Sequence, residues 1–179
     1  NDLIEKTLWP LKIMIPFAAK KSDLWRGIDK KNRNIELLFY NDTGIEGFQK
    51  LIFWFFRKGL AMPRPHNIIV PSLINAINMG YQCIYLWGAE NNQFLHLSVD
   101  ENNNALIHQK HYYDNDHSKP GIMRRGPTGQ RRLHEILHKF MLSFKGYHVI
   151  NDYAQNRGVR IINQTPGSMI DAFERERLD

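Results

Sequence analysis

Three short apolar runs, NIELLFY at 34–40, QCIYLWG at 82–88 and VRIINQ at 159–164, are separated by segments in which apolar residues recur at helical spacing. Runs of this length bounded by turn residues read as strands, and the 3.6-residue period reads as helix. Strand, helices, strand, long helical excursion, strand is the order that parallel pairing with crossover connections needs. The expected fold is therefore α/β: a Rossmann-like, layered, mostly parallel sheet with flanking helices, in a single domain over 1–179. With 179 residues, 42% of them apolar, the chain is long enough to bury one core.

The same periodicities give the individual elements. Thr43 stands three residues before Glu46, a capping-box spacing, and Ile45, Phe48, Leu51, Ile52, Phe55 and Phe56 follow, which predicts a helix over 43–59. IIVPSLINAINMGY predicts a second helix ending near Gly80, with Pro71 in its first turn. LSVDENNNALIHQ predicts a hairpin across an asparagine-rich turn. From Thr128 onward, Leu133, Ile136, Leu137, Phe140, Met141 and Phe144 share one face of a long helix that Gly146 is expected to interrupt. Ser168 and Asp171 repeat the capping-box spacing and predict a short last helix. Cys83, the only cysteine, lies in an apolar run and is expected to be buried and reduced, which points to a cytoplasmic setting. No stretch approaches the roughly 20 apolar residues of a membrane span. The densest, LIFWFF at 51–56, runs straight into Arg57 and Lys58, and the first residues carry no signal-peptide pattern.

A formal charge of +6 and a pI near 9.5 favour anionic partners. The aromatics fall at core spacing rather than between basic residues, which argues against a nucleic-acid stacking platform. In open α/β sheets ligands bind beyond the carboxyl ends of the strands. Here those ends are YNDTG at 40–44, WGAENN at 87–92 and NQTPGS at 163–168, all rich in small, amide and acidic residues. Two segments also precede helices, whose first N–H groups attract anions. One is PRPHN at 63–67, with Arg64, His66 and Asn67. The other is RRGPTGQRR at 124–132, with Arg124, Arg125 and Thr128. Neither is a Walker A loop or a GxGxxG fingerprint.

Five of the eight histidines, His108, His111, His117, His134 and His138, lie close together in the chain. His134 and His138 with Glu135 invite comparison with the zinc-protease helix H-E-x-x-H, but the spacing reads as one residue too long, and no metal site is expected. As a proton acceptor His117 is placed best by composition, with Tyr113 close enough in sequence to donate to a departing phosphate.

The stretch PHNIIVPSLINAINMGYQCIYLWGAE at 65–90 resembles the helix and "lGYKeIYLsGiDF" strand of bacterial sialyltransferases that make 2,3-linked sialosides, and HSKP at 117–120 resembles their "GHSKN" segment. A looser similarity extends to 6-hydroxymethylpterin pyrophosphokinase-like domains. WGAE, VDENN, HYYD and NQTPGSMIDAF, spread over about 66–173, resemble in order the motifs of uncharacterised bacterial proteins of surface-polysaccharide clusters. The resemblance implies a glycosyltransferase-like domain that uses a nucleotide-sugar donor and a glycan acceptor. Arg64, His66, Asn67, Gly88 and Glu90 would then hold the nucleotide, His117 would deprotonate the acceptor, and Tyr113 with Arg124 or Arg125 would stabilise the leaving phosphate. A nucleoside monophosphate donor would need no metal, whereas a diphosphate donor could use a divalent ion at Glu90. The "GnGPSL" nucleotide loop with which these families begin has no counterpart, since the first glycine is Gly27. The chain is accordingly expected to be the C-terminal part of a longer protein, lacking the first strand of the sheet. The alternatives are pyrophosphoryl transfer to a pterin and a non-catalytic module that binds an anion or a partner.

Overall fold

The computed structural model describes residues 2–108, 120–126 and 129–176, with Asp29 described by its backbone alone. The fold is mixed α/β, built from small parallel and antiparallel sheets and helices. It divides into two compact units, Asn1–Gly80 and Tyr81–Asp179.

The first unit holds α1 (Asp2–Lys6), β1 (Leu11–Pro16), α2 (Ile28–Lys31), β2 (Ile35–Tyr40), α3 (Gln49–Arg57) and α4 (Ile69–Asn78). The apolar stretch LKIMIP forms β1, which pairs in parallel with β2 from Leu11 opposite Ile35 to Pro16 opposite Tyr40. The connection between them is long enough for the crossover that parallel strands require. Asn32 fixes its end: its Nδ2 donates to the carbonyls of Ile4 at 2.8 Å and Thr7 at 2.9 Å, tying α1 to the start of β2. Ile15 and Ile35 are buried with Ile52, Phe53 and Phe56 of α3 and Val70, Leu73, Ile74 and Ile77 of α4. The α4 residues recur at i, i+3, i+4 and i+7, the stripe of a helix with one buried face. Asn78 Nδ2 donates to the Phe56 carbonyl at 2.8 Å and joins the ends of the two helices.

The second unit holds β3 (Cys83–Leu86), β4 (Leu97–Val99), β5 (Ala105–Ile107), β6 (Gly121–Ile122), β7 (Arg124–Arg125), β8 (Gly129–Gln130), α5 (Leu133–Asn156) and β9 (Arg160–Asn163). Strands β3 and β9 pair in parallel from Cys83 opposite Arg160 to Leu86 opposite Asn163. The predicted hairpin is present as β4 and β5, extended by β6. Its turn is organised by Asp100, whose carboxylate accepts the backbone N–H of Asn102 and Asn104 at 3.0 and 2.7 Å and the Asn104 side chain at 2.8 Å. Those bonds to Asn104 hold the Asp100 carboxyl below its ordinary pKa. Along α5, Ile136, Tyr147, Ile150, Tyr153 and Ala154 are buried. Phe94, Phe140, Phe144, Tyr147 and Phe173 form a continuous aromatic chain with ring centroids 5.7–6.1 Å apart. Gly158, at φ 68, ends α5 and frees the chain to enter β9.

Several expectations are corrected. Among the described residues there is no extended Rossmann sheet; each parallel pair has two strands. In β2 only Ile35 is buried, so NIELLFY is not a fully enclosed central strand. Helix α3 starts at Gln49, not 43, because Thr43 is occupied elsewhere: its N–H and Oγ1 donate to Asn41 Oδ1 at 3.0 and 2.6 Å, and its carbonyl accepts Met62 N–H at 2.9 Å. Gly146 does not interrupt α5; it lies buried in the helix, and the 24-residue element runs through it. Among the described residues no helix follows Ser168, whose hydroxyl is engaged in the tertiary bonds described below. Cys83 is exposed, since period-two alternation places Cys83, Tyr85 and Trp87 together on the open face of β3. No helix among the described residues is long and apolar enough to cross a membrane.

The Gly44–Met62 bridge brings two backbones into contact, and a Cβ on Gly44 would lie 2.8 Å from Arg64 Cα. Gly44→Ala is expected to lower stability by about 1–3 kcal/mol. The check is a shift of the urea midpoint at unchanged slope.

Candidate functional site

The polar residues best organised by the fold lie at the carboxyl ends of β3 and β9. Strand β9 ends in Asn163, Gln164 and Thr165, and β3 continues through Trp87, Gly88 and Ala89. Asn163, Thr165 and Ser168 are 2%, 3% and 5% exposed, so each must find its partners inside the protein. Asn163 Oδ1 accepts Thr165 N–H at 3.1 Å, and its Nδ2 donates to Ser168 Oγ at 2.9 Å and to the Ile170 carbonyl at 3.4 Å. Ser168 Oγ donates to the Ala89 carbonyl at 2.6 Å and accepts Ile170 N–H at 3.2 Å. Thr165 Oγ1 accepts Ala89 N–H at 3.1 Å and donates to the Leu86 carbonyl at 3.4 Å. The Ser168 hydroxyl uses its donor and both lone pairs. This network clamps the chain leaving β3 onto the chain leaving β9, and Gln164 N–H to Leu86 and Met169 N–H to Glu90 add backbone bonds on either side.

Beside the clamp is a cleft of about 450 Å³ lined by Trp87, Gln164, Thr165, Pro166, Arg175 and Glu176, with Asn163 behind them. Arg175 Nη2 donates to the carbonyls of Ser168 at 2.5 Å and Ile170 at 3.2 Å, which fixes the guanidinium beside the cleft. Trp87 is 57% exposed and offers an aromatic face. On the next residues Arg160 pairs with Glu174 and Glu176 at 2.9 and 3.1 Å, so Glu176 is held between a cation and the cleft. The set suits a planar or hydroxyl-rich ligand: a ring face for stacking, a guanidinium, a carboxylate and an amide for hydrogen bonding.

The residues expected from sequence fall in several places. Gly88 is at the β3 end with φ 65, and an added Cβ would meet no atom within 4 Å, so it is the backbone conformation rather than crowding that favours glycine. Glu90 follows with an exposed side chain, its carbonyl taken by Met169. Arg64, His66 and Asn67 belong to the first unit, at the start of α4. There Asn67 Oδ1 accepts Ile69 and Val70 N–H at 3.1 and 3.4 Å, so these helix-start donors are already satisfied by the chain itself. Arg64 is exposed and His66 half-buried. Arg124 and Arg125 form β7, both exposed, and Arg125 Nη1 lies 3.4 Å from Glu135 Oε1. His117, Tyr113, Thr128 and His111 lie outside the described residues.

The expected H-E-x-x-x-H spacing is a miscount: residues 134–138 are His-Glu-Ile-Leu-His, which is H-E-x-x-H. The motif nevertheless sits in the first turn of α5, where Glu135 Oε2 accepts Arg132 N–H at 2.8 Å and serves as a cap. Among the described residues no group of three or more His, Cys, Asp or Glu is placed to hold a metal ion.

Sequence reasoning singled out NQTPGS as a strand end but assigned no role to Thr165 or Asn163, took Ser168 for a helix cap, and passed over Trp87 and Arg175. Four polar residues among the six of NQTPGS, at the end of an apolar strand, were the available signal. Arg175 gave none, being one arginine in the charged segment ERER.

No protein-family model, curated protein or solved structure matches this chain.

Two outcomes follow. Asn163→Ala leaves the Thr165 N–H and the Ser168 hydroxyl each short of a buried partner, and a loss of about 1–3 kcal/mol is expected in denaturant unfolding. Glu135 is held below the ordinary glutamate pKa, first by the Arg132 N–H and then by the Arg125 charge. A depressed carboxylate stabilises the fold at pH above its unfolded pKa, and the contribution is lost as pH falls through the folded value. Amide protection factors at the start of α5, taken relative to intrinsic exchange at each pH, should therefore fall in acid below the usual glutamate range, and Glu135→Gln should abolish that fall.

Proposed function

We propose that the chain is a glycosyltransferase-like domain acting on a nucleotide-activated sugar, sialyltransferase-like, in bacterial surface-polysaccharide synthesis, with strands arranged in a Rossmann-like way. The observation that carries the reading is the clamped pair of strand ends at β3 and β9. Both end at the same side of a parallel pair, both are polar, and a cleft with Trp87 and Arg175 opens beside them. That is where ligands bind in parallel α/β sheets. The motif resemblance of WGAE and NQTPGSMIDAF supports it, because those two segments meet through Ala89, Thr165 and Ser168.

In this reading Gly88 and Glu90 border the donor at the end of β3, and the nucleotide role that the resemblance gives Arg64, His66 and Asn67 is proposed for the start of α4 within the first unit alone. Asn67 already caps that helix, so its side chain shapes the loop rather than holding phosphate. Arg124 is preferred to Arg125 as the cation for a leaving phosphate, because Arg125 is drawn to Glu135. His117 takes the acceptor proton and Tyr113 donates to the leaving group. No metal is required for a nucleoside monophosphate donor. A preorganised cation at the leaving oxygen is the effect with the most to contribute.

A thermal-shift panel of cytidine, uridine and guanosine nucleotides, each with and without a divalent metal, tests the reading. A nucleotide present at about 100 times its dissociation constant should stabilise the protein by about 2.7 kcal/mol. Stabilisation by one base class and not the others is the expected result, and no shift with any of them would rule the reading out.

A further inference from the structure

The first unit has a cleft of its own, of about 310 Å³, at the carboxyl ends of β1 and β2. Its apolar side is formed by Met14, Phe39 and Met62. Its polar side carries Arg57 and Lys58, consecutive residues that the end of α3 delivers together before Gly59, at φ 64, turns the chain away. No carboxylate lines the cleft, and neither cation has an acidic partner among the described residues. Tyr40 and Asn75 add a phenol and an amide. Burial, followed by the nearby Asp42 charge, pushes the Tyr40 phenol above its ordinary pKa, so it keeps its proton and can donate. Asp42 itself is not part of the lining. A third cation stands close by: Lys20 Nζ lies 5.2 Å from the centroid of the Phe39 ring.

Two adjacent cations without counter-charges, flanked by neutral donors, make an oxyanion site. The volume is at the small end of small-molecule pockets, which suits a small ligand, and the apolar side gives the rest of that ligand a surface to cover. We propose that this cleft binds a small phosphate monoester, its phosphate on Arg57 and Lys58 and its organic part against Met14 and Phe39. A phosphate dianion matches the two positive charges, which a carboxylate does not. The site is independent of the nucleotide reading of the second unit, since the two are built from different residues.

Isothermal titration of the whole chain with phenyl phosphate, inorganic phosphate and benzoate tests it, because none of these probes carries a base or a sugar. Phenyl phosphate should bind most tightly. Arg57→Gln and Lys58→Gln should each weaken it about ten-fold, the loss expected when one charge-assisted hydrogen bond is removed. Lys139→Gln, on α5, removes the same charge elsewhere and should leave binding unchanged. Both cleft cations are exposed, so the variants should fold, which circular dichroism verifies. Absence of phenyl phosphate binding, equal binding of inorganic phosphate or benzoate, or insensitivity to both cleft substitutions would each overturn the proposal. Success here with a flat nucleotide panel would separate this site from the transferase reading.

Discussion

The carboxamide of Asn163 is the point on which the second unit's polar end turns. A strand that finishes in a buried amide needs that amide satisfied, and here the Ser168 hydroxyl accepts from it and the Thr165 main-chain N–H donates to it, while the side chains of those two residues bind the backbone leaving β3. Ser168 and Thr165 therefore do the work that a regular helix or strand would do with main-chain bonds. They convert two loops that diverge in sequence by more than seventy residues into one rigid edge. Every feature that makes this edge interesting as a binding site, including the placement of Trp87, Gly88 and Arg175, inherits its position from those bonds. Buried polar networks of this kind are costly when incomplete, and this one is complete at the serine.

Much of the local structure was legible in the sequence. QCIYLWG, VRIINQ and the hairpin around the asparagine turn were found because their period and their bounding residues agree. The long helix expected from Thr128 begins at Leu133, after β8, and the glycine at 146 misled: one glycine costs about 1 kcal/mol against alanine, too little to break a helix whose next residue is the fully buried Tyr147. The other misses share a cause. Thr43 and Ser168 both had cap spacing, and both hydroxyls were claimed by partners that local reasoning does not see, Asn41 in one case and Ala89, distant in sequence, in the other. A hydroxyl takes the best geometry available, and tertiary structure decides which that is.

The candidate site was legible only as a set of strand ends. Composition pointed to polar loops after β3 and β9, and the fold joins those two. The arginines were less readable, because the sequence shows charge but not its partner. Arg125 pairs with Glu135, and Arg160 with Glu174 and Glu176, which offsets part of the positive charge while both arginine side chains stay exposed. Arg57 and Lys58, which the sequence showed only as the charges ending the run LIFWFF, have no acidic ion-pair partner among the described residues.

The misplaced expectation about Cys83 has a practical side. A sole cysteine on the open face of a short strand is a ready-made attachment point, so one fluorophore or spin label can be coupled at a defined position with no substitution at all. Placed two residues from Tyr85 and four from Trp87, such a label would sit on the same face as the aromatic platform and would report on anything that settles there. The same accessibility means that two molecules can join through their thiols in an oxidising buffer, and samples kept under reducing conditions would be free of that covalent pairing.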